Sequence, residues 1–78
     1  MNNTQARIIA ICDKLDYQKR FSEYIAAKLG LDYRTITSYL RRMEYLDWIK
    51  TERYKQRKVI KTIDPAKLEE AKELLRDA

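Results

Sequence analysis

Apolar side chains recur at helical spacing in four separate stretches of the chain and alternate with polar ones in a fifth. Ile8, Ile9, Ile11, Cys12 and Leu15 form a broad apolar face. Asn2, Asn3 and Thr4 stand ahead of it, with side chains suited to cap free backbone N–H groups, so a first helix is expected from about residue 4 or 5 to about 15. Residues 16–20, Asp-Tyr-Gln-Lys-Arg, lack that period and read as a polar connection. Phe21, Ile25, Ala26 and Leu29 then make the inner side of a short second helix, with Ser22 as its N-cap. It closes at Gly30, the only glycine, where a left-handed residue is needed. Asp32 caps the next run, 32–46, in which Ile36, Leu40 and Met43, with Leu46 or Tyr39 alongside, share one stripe.

Past Leu46 the helical period is lost. Asp47, Trp48 and Ile49 make a compact corner, with Trp48 as a core aromatic closing the third helix. Rough alternation and β-branched residues then predict antiparallel strands near 49–54 and 58–63, joined by the polar tip Lys55-Gln56-Arg57. Ile49, Val59 or Ile60, and Ile63 offer the inward contacts, and the register stays open. Asp64-Pro65 marks a new helix start, an N-cap acid before a proline at the first helical position. Leu68, Ala71, Leu74 and Leu75 give that last helix a narrow apolar stripe, which either packs on the first helix or pairs with a second copy. The expected fold is mostly α with a small β hairpin, in the order helix, helix, helix, strand, strand, helix. Residues 1–78 form one domain, with 64–78 a terminal helix available for dimerisation.

Composition narrows this further. A chain of 78 residues supports one small core, to which pairing with a second copy would add. The net charge of +5 is unevenly spread. Residues 1–16 are neutral, 17–63 carry twelve Lys/Arg against five Asp/Glu, and 64–78 carry three against five. Positive charge therefore belongs to the middle of the chain, as on a nucleic-acid surface. The single cysteine excludes an internal disulfide and fits a reducing compartment. Cys12 lies within the first apolar face and reads as a small hydrophobe. The lack of histidine excludes His-based metal sites and acid–base triads. With no phosphate-binding glycine loop, no cofactor and no enzymatic activity are expected. Nothing resembles a signal peptide or a membrane span, so a cytoplasmic location is expected.

The polar side of the third helix carries the candidate chemistry. Tyr33, Arg34, Thr35, Thr37, Ser38, Arg41 and Arg42 occupy it, with Glu44 as the only acid. Arginine's planar fork fits phosphates and base edges alike. Arg53, Lys55, Arg57, Lys58 and Lys61 crowd the hairpin. They also deter unwanted strand pairing at an exposed edge, an ordinary structural role.

Residues 21–49, F-S-E-Y-I-A-A-K-L-G-L-D-Y-R-T-I-T-S-Y-L-R-R-M-E-Y-L-D-W-I, resemble the winged helix-turn-helix DNA-binding domains. The likeness is to small prokaryotic or archaeal transcription regulators of the MarR and ArsR kind. A capped short helix ends in L-G-L, a polar pair follows, and a T-[VI]-[ST]-x-x-L-x-x-[LM] helix precedes a strand. The resemblance implies that Tyr33, Arg34, Thr35, Thr37, Ser38 and Arg41 face the major groove or its flanking phosphates. It also implies that Lys55, Gln56, Arg57 and Lys58 form a wing over the minor groove or backbone. Arg42, Lys50 and Arg53 join the backbone contacts, and Lys19 and Arg20 lie nearby. Family members often have glycine where Asp47 stands.

The function this implies is a transcription regulator that binds double-stranded DNA as a homodimer, without small-molecule ligand, paired through Leu68, Ala71, Leu74 and Leu75. Two alternatives stay open: a sequence-tolerant architectural or replication-associated DNA binder, and a winged helix used as a protein-interaction module.

Overall fold

Helix α1 spans Asn3–Lys14 in the computed structural model, which describes residues 1–76. The final two residues of the expected 64–78 segment lie outside the described residues. Asn2 is the N-cap of α1. Its side chain accepts from the Gln5 backbone N–H at 2.8 Å, and Gln5 Oε1 accepts from the Asn2 N–H at 2.8 Å. This reciprocal pair satisfies donors that a helix start otherwise leaves open. Ala6, Ile8, Ile9 and Cys12 are buried on the inner face, while Ile11 and Leu15 pack partly against it.

The polar connection contains a short 3-10 turn, Tyr17–Lys19. Arg20 after it is half-buried: its Nε donates to the Leu15 carbonyl at 3.2 Å, and its own carbonyl accepts from the Ile60 N–H at 2.9 Å. Helix α2, Ser22–Leu29, has Phe21 at its N-cap with no side-chain cap bond. Ser22 is therefore the first helical residue and not the cap, because its hydroxyl is engaged by Thr37 instead. Gly30 ends α2 at φ 68, the left-handed conformation that glycine adopts without a Cβ penalty.

Helix α3, Tyr33–Tyr45, begins at Asp32, whose Oδ1 accepts from the Arg34 N–H at 3.2 Å. Ile36 and Met43 are fully buried, and Tyr39 and Leu40 pack partly against the core. Leu46 is 38% exposed, so Tyr39 rather than Leu46 completes the inner stripe. Asp47 then takes φ 62, the left-handed corner for which glycine is better suited.

Strands β1, Ile49–Tyr54, and β2, Arg57–Ile63, pair antiparallel from Ile49↔Ile63 to Tyr54↔Arg57. Lys50 pairs with Thr62 but Thr51 with Ile60, which leaves Lys61 as the extra residue of a β-bulge. The bulge explains why both Ile63 and Ile60 meet the core although three residues apart. Val59, on the opposite face, is fully buried as well, outside the cluster that Ile60 joins. The connecting turn is the two residues Lys55 and Gln56, at φ 48 and 68. Paired left-handed residues are the signature of a type I′ hairpin turn, and Arg57 consequently belongs to β2 and not to the tip.

Helix α4, Pro65–Arg76, starts as expected: the Asp64 carbonyl accepts the first helical bond, from the Leu68 N–H at 3.0 Å. It packs along α1. Ala71 is wholly buried there, with Leu68, Leu74 and Leu75 partly covered against the same core. Among the described residues, four helices and two strands thus contribute to one core, and no polar or charged residue is buried in it. The order α1, α2, α3, β1, β2, α4 matches a winged helix-turn-helix arrangement.

Candidate nucleic-acid interface

The buried stripe of α3 decides which of its polar residues face outward. Arg34, Ser38, Arg41 and Tyr45 are spaced at i, i+4, i+7 and i+11, all are exposed, and together they form the stripe opposite Ile36 and Met43. Tyr45 is 79% exposed. Tyr45 is not among the expected site residues, although its helical spacing from Arg34 and Arg41 is visible in the sequence. Thr35 and Arg42 lie on the flank toward α1, where they line a shallow concavity with Gln5, Arg34, Ser38 and Tyr39. Tyr33, 48% exposed, and Thr37 lie on the other flank. Thr37 is half-buried and donates its hydroxyl to Ser22 Oγ at 3.0 Å, which commits it to holding α2 against α3.

The hairpin is tied to α3 by its only acid. Glu44 accepts from Lys58 Nζ at 2.7 Å and from the Thr51 hydroxyl, so one carboxylate spans helix, β1 and β2. The hydrogen bonds from Lys58 and then Thr51 favour the ionised form and hold the Glu44 carboxyl below its ordinary value. Lys58 is thus paired, while its side chain stays well exposed. Arg57 is folded back with its guanidinium 4.1 Å over the Phe21 ring. Lys55, at the tip, rests 5.5 Å over Tyr54. Gln56 projects beside it, and Lys61 pairs with Glu52 at 3.6 Å. Arg41, Arg42, Lys50 and Arg53 are exposed and form no ion pair among the described residues. The positive surface is therefore built from α3 and the β1 side of the hairpin as much as from its tip.

The remaining candidates are placed elsewhere. Ala71 is spent in the chain's own core, leaving partly exposed Leu68, Leu74 and Leu75 on α4. The Cys12 thiol is pushed up to about 12 by burial, against a smaller opposing pull from the Arg20 charge, so it stays protonated and unreactive. Among the described residues no cluster of His, Cys, Asp or Glu is placed to hold a metal ion. No described helix is long and apolar enough to cross a membrane.

Fold and surface together define a winged helix-turn-helix-like module with a basic outer helix face and a hairpin wing. Comparisons with protein-family models, with curated proteins and with solved structures find no match to this chain.

Proposed function

We propose that this protein is a transcription regulator that binds double-stranded DNA, with α3 in the major groove and the β1–β2 hairpin against the backbone or adjacent minor groove. The observation that carries the reading is the outer stripe of α3: Arg34, Ser38 and Arg41 are exposed together, and the helix's only acid is turned aside to Lys58 and Thr51. A groove-filling helix needs this combination, since any unpaired carboxylate on that face would repel phosphates. Arg34, Ser38, Thr35 and Arg41 are the base readers or phosphate anchors, with Tyr33 at the edge. Arg42, Lys50, Arg53, Lys55, Gln56, Arg57 and Lys58 supply backbone contacts, which bring salt-dependent affinity without sequence information.

Pairing of two copies through the open parts of Leu68, Leu74 and Leu75 would set two reading helices about one DNA turn apart. Bound there, the pair would block or recruit transcription machinery. A sequence-tolerant binder is favoured by one observation: Thr37, a reader by position, has its hydroxyl engaged inside the fold. The test is a titration of genomic against random duplexes at several salt concentrations. A regulator binds its genomic site with a specificity ratio of about a thousandfold or more. Equal affinity for both supports the sequence-tolerant reading, and no duplex binding at low salt supports a protein-interaction module.

A further inference from the structure

The hairpin has a second functional face, turned away from α3. Strand alternation puts Lys58 and Thr51 toward Glu44, and so puts Tyr54 and Arg57, directly opposite each other in the register, on the other side. From that pair a row of rings runs in both directions. Tyr17 of the 3-10 turn meets Tyr54 edge-on, with centroids 5.4 Å apart. In the other direction, Arg57 covers Phe21 at 4.1 Å, and Phe21 lies 6.1 Å from Tyr24 on α2. All of these rings are half-buried, which holds them in place while some surface stays at solvent.

Cations line the row. Lys55 sits 5.5 Å from the Tyr54 ring centre, and Lys19 and Lys28 sit 5.6 and 5.5 Å from that of Tyr24. Asp16 and Glu23, the acids of this segment, pair with none of them among the described residues, and Glu52 on the same strand face is taken by Lys61. A single lysine over a tyrosine is an ordinary surface contact. Four rings in sequence, edged by four cations against the unpaired Asp16 and Glu23, make a different surface. Rings take the faces of bases, ammonium groups take phosphates, and the Arg57 plane continues the stack. A duplex hides its base faces inside its own stack and gains nothing from such rings. An unpaired strand offers them.

We propose that the row Tyr17–Tyr54–Arg57–Phe21–Tyr24 is a binding site for single-stranded DNA, separate from the α3 face. It goes beyond the duplex-binding reading and does not depend on it. The test uses the full chain and a short labelled oligothymidine, a blunt duplex and inorganic polyphosphate as probes. Tyr24→Leu and Tyr17→Leu keep apolar bulk but remove the stacking face, and each weakens oligothymidine binding about tenfold while duplex affinity is unchanged. Lys19→Glu with Lys28→Glu, both at exposed positions over the Tyr24 ring, gives a second reading that leaves every ring side chain in place and also weakens oligothymidine. Arg34→Ala with Arg41→Ala lowers duplex affinity alone, so failure of the α3 reading and failure of this one are distinguishable. The proposal is overturned if the folded Tyr24→Leu protein binds oligothymidine as tightly as the parent. It is equally overturned if polyphosphate competes as well as oligothymidine, which would reduce the site to bare charge.

Discussion

At the residue scale, Glu44 sets where the hairpin sits. It is the only acid of α3, and both of its partners belong to strands. Because those bonds lower its folded pKa, the stability it contributes is present above the ordinary carboxylate value of 4.5 and is lost as pH falls through the folded value. Glu44→Gln therefore lowers the melting temperature at pH 7, and the gap from the parent closes as the pH is taken down past 4.5, as thermal unfolding followed by circular dichroism will show. A gap independent of pH would mean that the amide loses something other than the charged pair. Cys12 offers a second test. A fully buried thiol with a pKa pushed up to about 12 reacts with a chromogenic disulfide at pH 8 only through unfolded molecules, so its labelling rate rises with denaturant in step with the unfolding transition. Helical spacing in the sequence places a residue on a face but not on its flank. Arg34, Ser38 and Arg41 were legible as outward for that reason. The engagement of Thr37 by Ser22, and of Lys58 by Glu44, depends on which element packs beside α3, and spacing along one helix carries no such information.

At the element scale, caps and breakers made the helices legible: Asn2, Gly30, Asp32 and the Asp64-Pro65 pair mark ends within a residue or two of the observed ones. The hairpin was legible as two strands but not in register. Val59 and Ile60 are adjacent apolar residues, alternation cannot choose between them, and both are buried because each of the two faces of the hairpin is covered there. The turn was equally opaque, because Lys55-Gln56 lacks the Asn-Gly signal that a type I′ turn favours. Both residues hold positive φ at a cost that glycine avoids and asparagine reduces. Replacing the pair by Lys55→Asn and Gln56→Gly is expected to raise stability by about 1 kcal/mol, measured by urea denaturation. The same double variant removes a tip cation and so weakens duplex binding slightly while the protein becomes more stable. Those opposite signs separate the turn's two roles.

At the scale of the whole molecule, the two ends of the chain close on one another as α4 covers α1, and the basic middle is displayed on the surface that remains. The net charge is concentrated where α3 and the hairpin present Arg34, Arg41, Arg42, Lys50, Arg53 and Lys55. If these six engage phosphates, the logarithm of the duplex association constant falls with the logarithm of salt concentration at a slope of about −5 per chain. The fold follows from pattern while the proposed DNA contact rests on one helix face, because the core needs every apolar run, whereas a reading surface needs only a few outward positions. The most direct measurement compares the parent with the Arg34→Ala, Arg41→Ala double variant in duplex titrations across salt concentrations, with thermal unfolding as the control. The variant is predicted to keep its melting temperature, to bind at least about tenfold more weakly, and to lose about two from the steepness of the slope. Unchanged affinity and slope in a folded variant would contradict the assignment of α3 as the element that meets DNA.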